Sequence, residues 1–126
     1  MIKLVLIVIG GAVGALLRYG ISGWVQKLGD SSFPYGTLVV NVIGCFLIGL
    51  CGAFIAGPHF PERIRPLIII GVLGSFTTFS TFGMETIELI NNGQFTRAGL
   101  NILLSNLAGL AAVFIGYRLT EQIAGG

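Results

Sequence analysis

The stretch GVLGSFTTFSTFGME, residues Gly71 to Glu85, lies inside a long apolar segment but is itself rich in hydroxyls, glycines and rings. Its phenylalanines recur at every third position, and the residues between them are Thr77, Thr78, Ser80 and Thr81. Serine and threonine side chains bond to nearby backbone groups and so loosen a helix. Within lipid, backbone released from a helix is tolerated only where protein or water covers it. The stretch therefore predicts a broken membrane helix that faces a polar interior.

The composition of the whole chain is typical of a membrane protein. Of its 126 residues, 54% are hydrophobic and only 10% are charged, and the mean hydropathy is +0.93. A soluble domain of this length carries about 25% charged residues. The formal net charge of +2 comes without a basic run, so nothing in the charge pattern indicates nucleic-acid binding.

Four apolar segments are each long enough for a membrane helix, which needs about 20 apolar residues. We predict spans at about residues 4–25, 36–56, 67–90 and 98–119, within a single transmembrane domain over residues 1–126. The start of the chain is similar to a signal peptide, but its apolar run continues past Arg18, so we expect it to remain as the first span. The predicted fold class is an all-α membrane protein with four transmembrane helices and a break in the third.

Cationic residues divide weakly between the two sides of the membrane. Four spans place both termini on one side, together with Lys3, Arg63, Arg65 and Arg118, against Lys27 and Arg97 on the other. Such a weak bias orients a chain poorly. It favours insertion in both directions and an antiparallel homodimer, a two-chain version of the inverted repeats of transporters. A weak preference for one orientation is the alternative interpretation.

Polar and aromatic side chains within the spans are the candidates for function. Arg18 lies deep in the first span, where a charge is costly and usually faces a cavity or a partner; alternatively it reaches the interface. Asn41 in the second span needs hydrogen-bond partners, and it could hold helices together or donate an N–H to an ion. The phenylalanine spacing fits ordinary packing, although the electropositive edge of a ring can also meet a small anion.

Other residues favour ordinary structural roles. Glu88 is expected to be solvated near the end of the third span, whereas the deeper Glu85 could accept hydrogen bonds or pair with a cation. Cys45 and Cys51 are interpreted as small packing residues, and His59 as a solvated loop residue. One histidine in a loop leaves no Ser/His/Asp or Cys/His set in the sequence, so an enzyme has almost no support.

Taken together, the motifs resemble those of the Fluc (CrcB) family of fluoride channels along the full length of the chain. A GxxxG segment followed by Leu17-Arg18 is similar to one family pattern, and GTLVVN, Gly36 to Asn41, is similar to a second. GSFTTFSTF, Gly74 to Phe82, is similar to the family's GG-TTFSTF motif, with Ser75 in place of its second glycine. The resemblance implies a small bacterial channel of the inner (plasma) membrane that exports fluoride passively and relieves its toxicity.

The resemblance also implies an antiparallel homodimer with two pores, each lined by both chains. The residues that would line a pore are Thr37, Asn41, Phe79, Ser80, Thr81, Phe82 and Asn106. Glu85 would complete a polar track, and Arg18 would lie at a vestibule. Where the two breaks cross, backbone carbonyls of Gly74 and Thr77 from both chains would hold a structural sodium ion.

The fourth span departs from the family pattern. Leu110 stands where family members often carry a further polar residue, and Asn106 would stand in for the usual hydroxyl or histidine. The chemistry remains coherent, because fluoride is small and strongly hydrated and must exchange water for donors that do not trap it. Amide, hydroxyl and ring-edge donors in series would meet that requirement.

Two other functions fit the size and hydropathy. A small multidrug-type proton-coupled exporter needs a carboxylate near the centre of the first span, where this chain has Arg18 and no acid. A non-transporting membrane assembly subunit would explain the glycines but not the hydroxyl run. The partners expected from the sequence are fluoride, lipid and a second copy of the chain, with no nucleic acid and no soluble protein implied.

Overall fold

The computed structural model describes residues 1–29, 32–55, 57–58 and 60–125, and within those ranges every regular element is helical. The elements in chain order are α1 (Ile2–Leu28), α2 (Tyr35–Ile55), a π-helical segment (Pro66–Leu73), α3 (Gly74–Phe76), α4 (Phe79–Asn91) and α5 (Phe95–Gly125). His59, predicted in a loop, and Ala56, predicted at the end of the second span, lie outside the described residues.

Four helical stretches are long and apolar enough to cross a membrane. They are Ile2–Leu28, Tyr35–Gly52, Pro66–Asn91 and Phe95–Ile123. The third stretch combines the π-helical segment with α3 and α4. The prediction of an all-helical chain with four such helices is confirmed.

Proline and glycine mark the two ends of the third stretch. Pro66 occupies the first position of the π-helical segment, where a helix needs no backbone N–H donor. After α4, the turn into α5 contains Gly93 with a φ of 77°. This left-handed conformation carries no steric cost for glycine, so the Asn-Asn-Gly sequence ends the helix.

α1 packs against the π-helical segment at glycines that leave no room for a side chain. A Cβ atom on Gly10 would meet the carbonyl oxygen of Leu67 and lie 3.0 Å from the Cα atom of Gly71. A Cβ atom on Gly14 would meet the carbonyl oxygen of Val72. Small residues that let backbones approach are typical of membrane helix pairs. The GxxxG pair of α1 therefore fixes this helix against the third span.

α2 and α5 form the most extensive helix pair, and they too approach through glycines. A Cβ atom on Gly49 would meet the carbonyl oxygen of Val113, and one on Gly116 would meet that of Phe46. α4 contacts α5 much less extensively. The half of the third span that follows α3 is therefore held less by packing than the other spans are.

Candidate functional site

The candidate site is built around two extended residues between α3 and α4. Thr77 has φ −87° and ψ 155°, and Thr78 has φ −148° and ψ 115°. The Thr78 hydroxyl caps α4, because it accepts a hydrogen bond from the Thr81 amide at 3.2 Å. A threonine hydroxyl in this role satisfies one of the free donors at a helix start. The hydroxyl run thus supplies the local bonds that replace helical pairing.

Asn41 of α2 bonds to this extended backbone in both directions. Its Nδ2 donates to the Thr78 carbonyl at 3.0 Å, and its Oδ1 accepts from the Thr78 amide at 2.8 Å. The side-chain amide therefore occupies the place that a neighbouring peptide unit would take in a β-ladder. A primary amide carries two N–H bonds, so Asn41 can hold the helices together and still offer a donor to another acceptor.

The extended residues release backbone carbonyls from their usual helical donors, and those of Gly74 and Thr77 are among them. Gly74 would pair in a continuous helix with the amide of Thr78, but that amide donates to Asn41. Thr77 would pair with the amide of Thr81, but that amide donates to the Thr78 hydroxyl. Carbonyls at a helix end need other partners, such as water or a ligand. Gly74 and Thr77 are the two residues expected to hold sodium.

Arg18 reaches the same region from α1. Its Nε donates to the carbonyl of Ser75 at 3.1 Å, in a partly buried position. A cation near the last carbonyls of a helix is stabilised by them and by the helix dipole. The guanidinium therefore lies at the end of residues 66–76, and its Nε is engaged by backbone.

A groove of about 410 Å³ runs beside the extended residues. It is lined by residues of α2, the third span and α5, which are Asn41, Gly44, Cys45, Ile48, Ile69, Leu73, Gly74, Thr77, Thr78, Phe79, Phe82, Ser105 and Asn106. Residues that are 37 and 64 positions apart in sequence line the groove together, namely Asn41 with Thr78 and Ser105. The groove contains amide and hydroxyl groups together with two aromatic rings.

The three phenylalanines of the motif separate into two environments. Phe76 is only 3% exposed and packs in the core, whereas Phe79 is 74% exposed at the edge of the groove. Phe79 and Phe82 form an edge-to-face pair, with ring centroids 5.4 Å apart and planes at 78°. Because a ring edge is electropositive, this pair can offer C–H edges to an anion in the groove.

The other predicted residues lie along or beyond α4. The Thr78 and Thr81 hydroxyls are 3.0 Å apart, and the Ser80 hydroxyl is 3.4 Å from that of Thr78. Glu85 does not line the first groove. Its carboxyl lies beside Thr37 and lines a second groove of about 470 Å³ with Glu88. Of the predicted polar residues, Asn41 and Asn106 line the first groove and Glu85 lines the second. The lining of both grooves lacks Thr37, Ser80 and Thr81.

Two hydroxyl residues of the groove, Thr78 and Ser105, are not among the predicted site residues. Thr78 belongs to the hydroxyl run, and its backbone is the partner of Asn41. Ser105 lies one helical turn after Asn101 on α5 and lines the groove. The Asn41 side chain needs both a donor and an acceptor, and a peptide unit outside a helix offers both. The sequence does not say which peptide unit of the chain this is.

Comparison with known proteins gives the family of the chain. The family described as CrcB-like protein, Camphor Resistance (CrcB), matches residues 5–117. The chain belongs to the CrcB family. The family expected from the motifs is thereby confirmed, and with four helices that can span a bilayer this CrcB chain is a multi-pass membrane protein.

Curated CrcB relatives cover nearly the whole chain. A fluoride-specific ion channel FluC of Parabacteroides distasonis is 46% identical over 123 residues, which are 98% of this chain and 96% of the relative. A protein of the same name from Geobacter metallireducens is 45% identical over 98% of this chain and 100% of its own length. Another, from Rhizobium johnstonii, is 41% identical with the same coverage.

Proposed function

We propose that this CrcB protein is a fluoride-selective channel through which fluoride leaves the cell passively across the inner (plasma) membrane. The observation that carries the proposal is the groove in which Asn41, Phe79 and Phe82 meet, in a chain 46% identical to a fluoride-specific ion channel. Passive export would relieve fluoride toxicity. It requires no bond to be made or broken, so the activity is transport rather than catalysis.

The chemistry of the groove suits a small, strongly hydrated anion. Fluoride must exchange its water for donors that are strong enough to replace hydration and weak enough to release the ion. The Asn41 amide and the edges of Phe79 and Phe82 offer neutral donors. The path continues past the predicted polar residues, which are Thr37, Ser80, Thr81, Glu85 and Asn106. Arg18 attracts anions but lies outside the Phe79–Phe82 pair, so no fixed positive charge traps the ion between the two rings.

The proposed channel is an antiparallel homodimer with a functional break in the third membrane helix. Three features support this assembly. The groove is open along one side, the Phe79 ring at its edge is 74% exposed, and the cationic residues give little orientational bias. A second, inverted copy would close the groove, and two closed grooves would give two pores per dimer with dual topology.

A structural sodium ion fits the released carbonyls at the proposed centre of this dimer. The Gly74 and Thr77 carbonyls have lost their usual helical donors, and carbonyl oxygens suit a hard cation. Two inverted copies would supply four such oxygens. Bound there, the ion would neutralise converging carbonyl dipoles and link the two chains.

Sodium removal should therefore destabilise the dimer. Replacing sodium by N-methyl-D-glucamine is expected to lower the thermal midpoint of dimer dissociation in detergent, because a ligand that binds only the assembled state stabilises it by mass action. The midpoint is measured at constant ionic strength across a sodium titration. A midpoint that is the same with and without sodium would contradict the proposed ion.

Fluoride efflux from liposomes that contain the purified protein tests the function directly. We expect fast passive loss of fluoride and no loss of chloride. Phe79→Ile should slow fluoride efflux by about tenfold or more, because it removes the ring edge but keeps an apolar side chain. Phe114→Ile is the matched control, since Phe114 is 66% exposed on α5 and does not line the groove.

The outcomes separate the competing functions. If the folded wild-type dimer moves neither ion, the channel proposal fails and a membrane assembly subunit becomes the better interpretation. If the wild type conducts fluoride and Phe79→Ile conducts equally well, the channel remains and only the role of the ring edge is contradicted.

A further inference from the structure

A chain of hydrogen bonds joins α4 to α5 behind the groove. The Ser105 hydroxyl donates to Asn101 Oδ1 at 3.4 Å, and Asn101 Nδ2 donates to Thr86 Oγ1 at 2.9 Å. The Thr86 hydroxyl then donates to the Phe82 carbonyl at 2.8 Å. Phe82 and Ser105, at the two ends, line the groove. Thr86 and Asn101, in the middle, are only 6% and 1% exposed.

We propose that Asn101 is a positioning residue for the fluoride path. It does not line the groove itself but fixes the positions of Phe82 and Ser105, which do. The inference rests on the proposed channel function. α4 has few neighbouring residues on α5, so packing alone constrains the position of Phe82 weakly. In a low-dielectric interior, a buried donor or acceptor that lacks a hydrogen-bond partner costs free energy. Asn101 therefore holds the α4 backbone at Phe82 at a fixed distance from α5.

Asparagine is suited to this position because it accepts at one end and donates at the other. Its Oδ1 accepts a hydrogen bond from the single O–H group of Ser105, and its Nδ2 donates a hydrogen bond to the Thr86 hydroxyl. The bond from Ser105, at 3.4 Å, is longer than the usual O–H···O distance of about 2.7–2.8 Å. A fluoride ion in the groove therefore competes easily with Asn101 for that proton, and Asn101 controls how readily Ser105 donates to the ion.

Substitutions along the chain of hydrogen bonds test the proposal by fluoride efflux per folded dimer. Asn101→Leu has a similar size and removes both bonds, so efflux should fall about tenfold while chloride stays excluded. Thr86→Val removes the acceptor for Asn101 and should act similarly. The double variant should lose no more than the more severe single variant, because members of one network are not additive.

Conservative variants distinguish positioning from a general structural role. Thr86→Ser keeps the hydroxyl and should retain the wild-type rate. Thr120→Val is the matched control, because Thr120 is 2% exposed on α5 and does not line the groove. If Asn101→Leu fails to fold, the comparison of Thr86→Val with Thr86→Ser decides, since both change the side-chain volume little.

Several outcomes would overturn the inference. Wild-type efflux in folded Asn101→Leu or in Thr86→Val would do so, as would losses that multiply in the double variant. A wild type that does not conduct fluoride removes the proposed function and this inference together. A conducting wild type beside an equally conducting Asn101→Leu variant removes this inference alone.

Discussion

Replacing Asn41 by aspartate should reduce fluoride efflux per folded protein by at least about a hundredfold. The carboxylate can still accept from the Thr78 amide, but it has no N–H for the Thr78 carbonyl, 3.0 Å from Nδ2 in the wild type. Two acceptors would then face each other in a partly buried position. The negative charge would also repel the anion in the groove. Fluoride efflux from liposomes, normalised to the amount of folded protein, measures the effect.

The matched control is Asn91→Asp at the exposed end of α4, which makes the same chemical change outside the first groove. We expect it to leave efflux within about twofold of the wild type, because a surface charge is screened by salt. Efflux near the wild-type rate in Asn41→Asp would show that the Asn41 donor is not needed and would contradict its place in the path.

The largest effect on folding is expected for Gly14→Val. A Cβ atom at this position would overlap the carbonyl oxygen of Val72 and lie 3.1 Å from the Cβ atom of Ser75. Backbone cannot move aside as a flexible side chain can, so α1 would have to separate from the π-helical segment. The cost should reach about 3 kcal/mol, the upper end of the usual range for overpacking. Size-exclusion profiles and thermal midpoints in detergent measure the loss of folded protein.

Two glycines of the same helix provide matched controls. Cβ atoms on Gly20 and Gly23 would meet nothing within 4 Å, so Gly20→Val and Gly23→Val should retain near wild-type thermal midpoints. If Gly14→Val were as stable as these controls, the close approach of α1 to the third span would not be required for folding.

The spans of this chain are predictable because lipid imposes one dominant requirement. Each helix needs a long apolar run. The loop that ends at Pro66 and the sequence from Asn91 to Gly93 interrupt those runs clearly. The helix pairs are harder to predict. Glycines such as Gly10, Gly14 and Gly71 each indicate a close contact, but the sequence does not say which of its many glycines face each other.

The site was predictable in its residues more than in its geometry. The hydroxyl run and Asn41 each indicate an unsatisfied need for hydrogen bonds, and the structure joins them through Thr78. The bond from Arg18 to the Ser75 carbonyl depends on how α1 packs, which local sequence does not determine. The separation of Phe76 into the core and Phe79 onto the groove likewise follows from the extended residues between them.

The open side of the groove bears on how this protein is made in the cell. A newly inserted, unpaired chain would turn the released carbonyls of Gly74 and Thr77, which line the groove, towards acyl chains, where an unsatisfied polar group costs several kcal/mol. In the proposed homodimer a second copy covers these carbonyls, so an unpaired chain would be a short-lived species and a target for membrane proteases. Biosynthesis would therefore yield paired protein or degraded protein, with little stable intermediate between them.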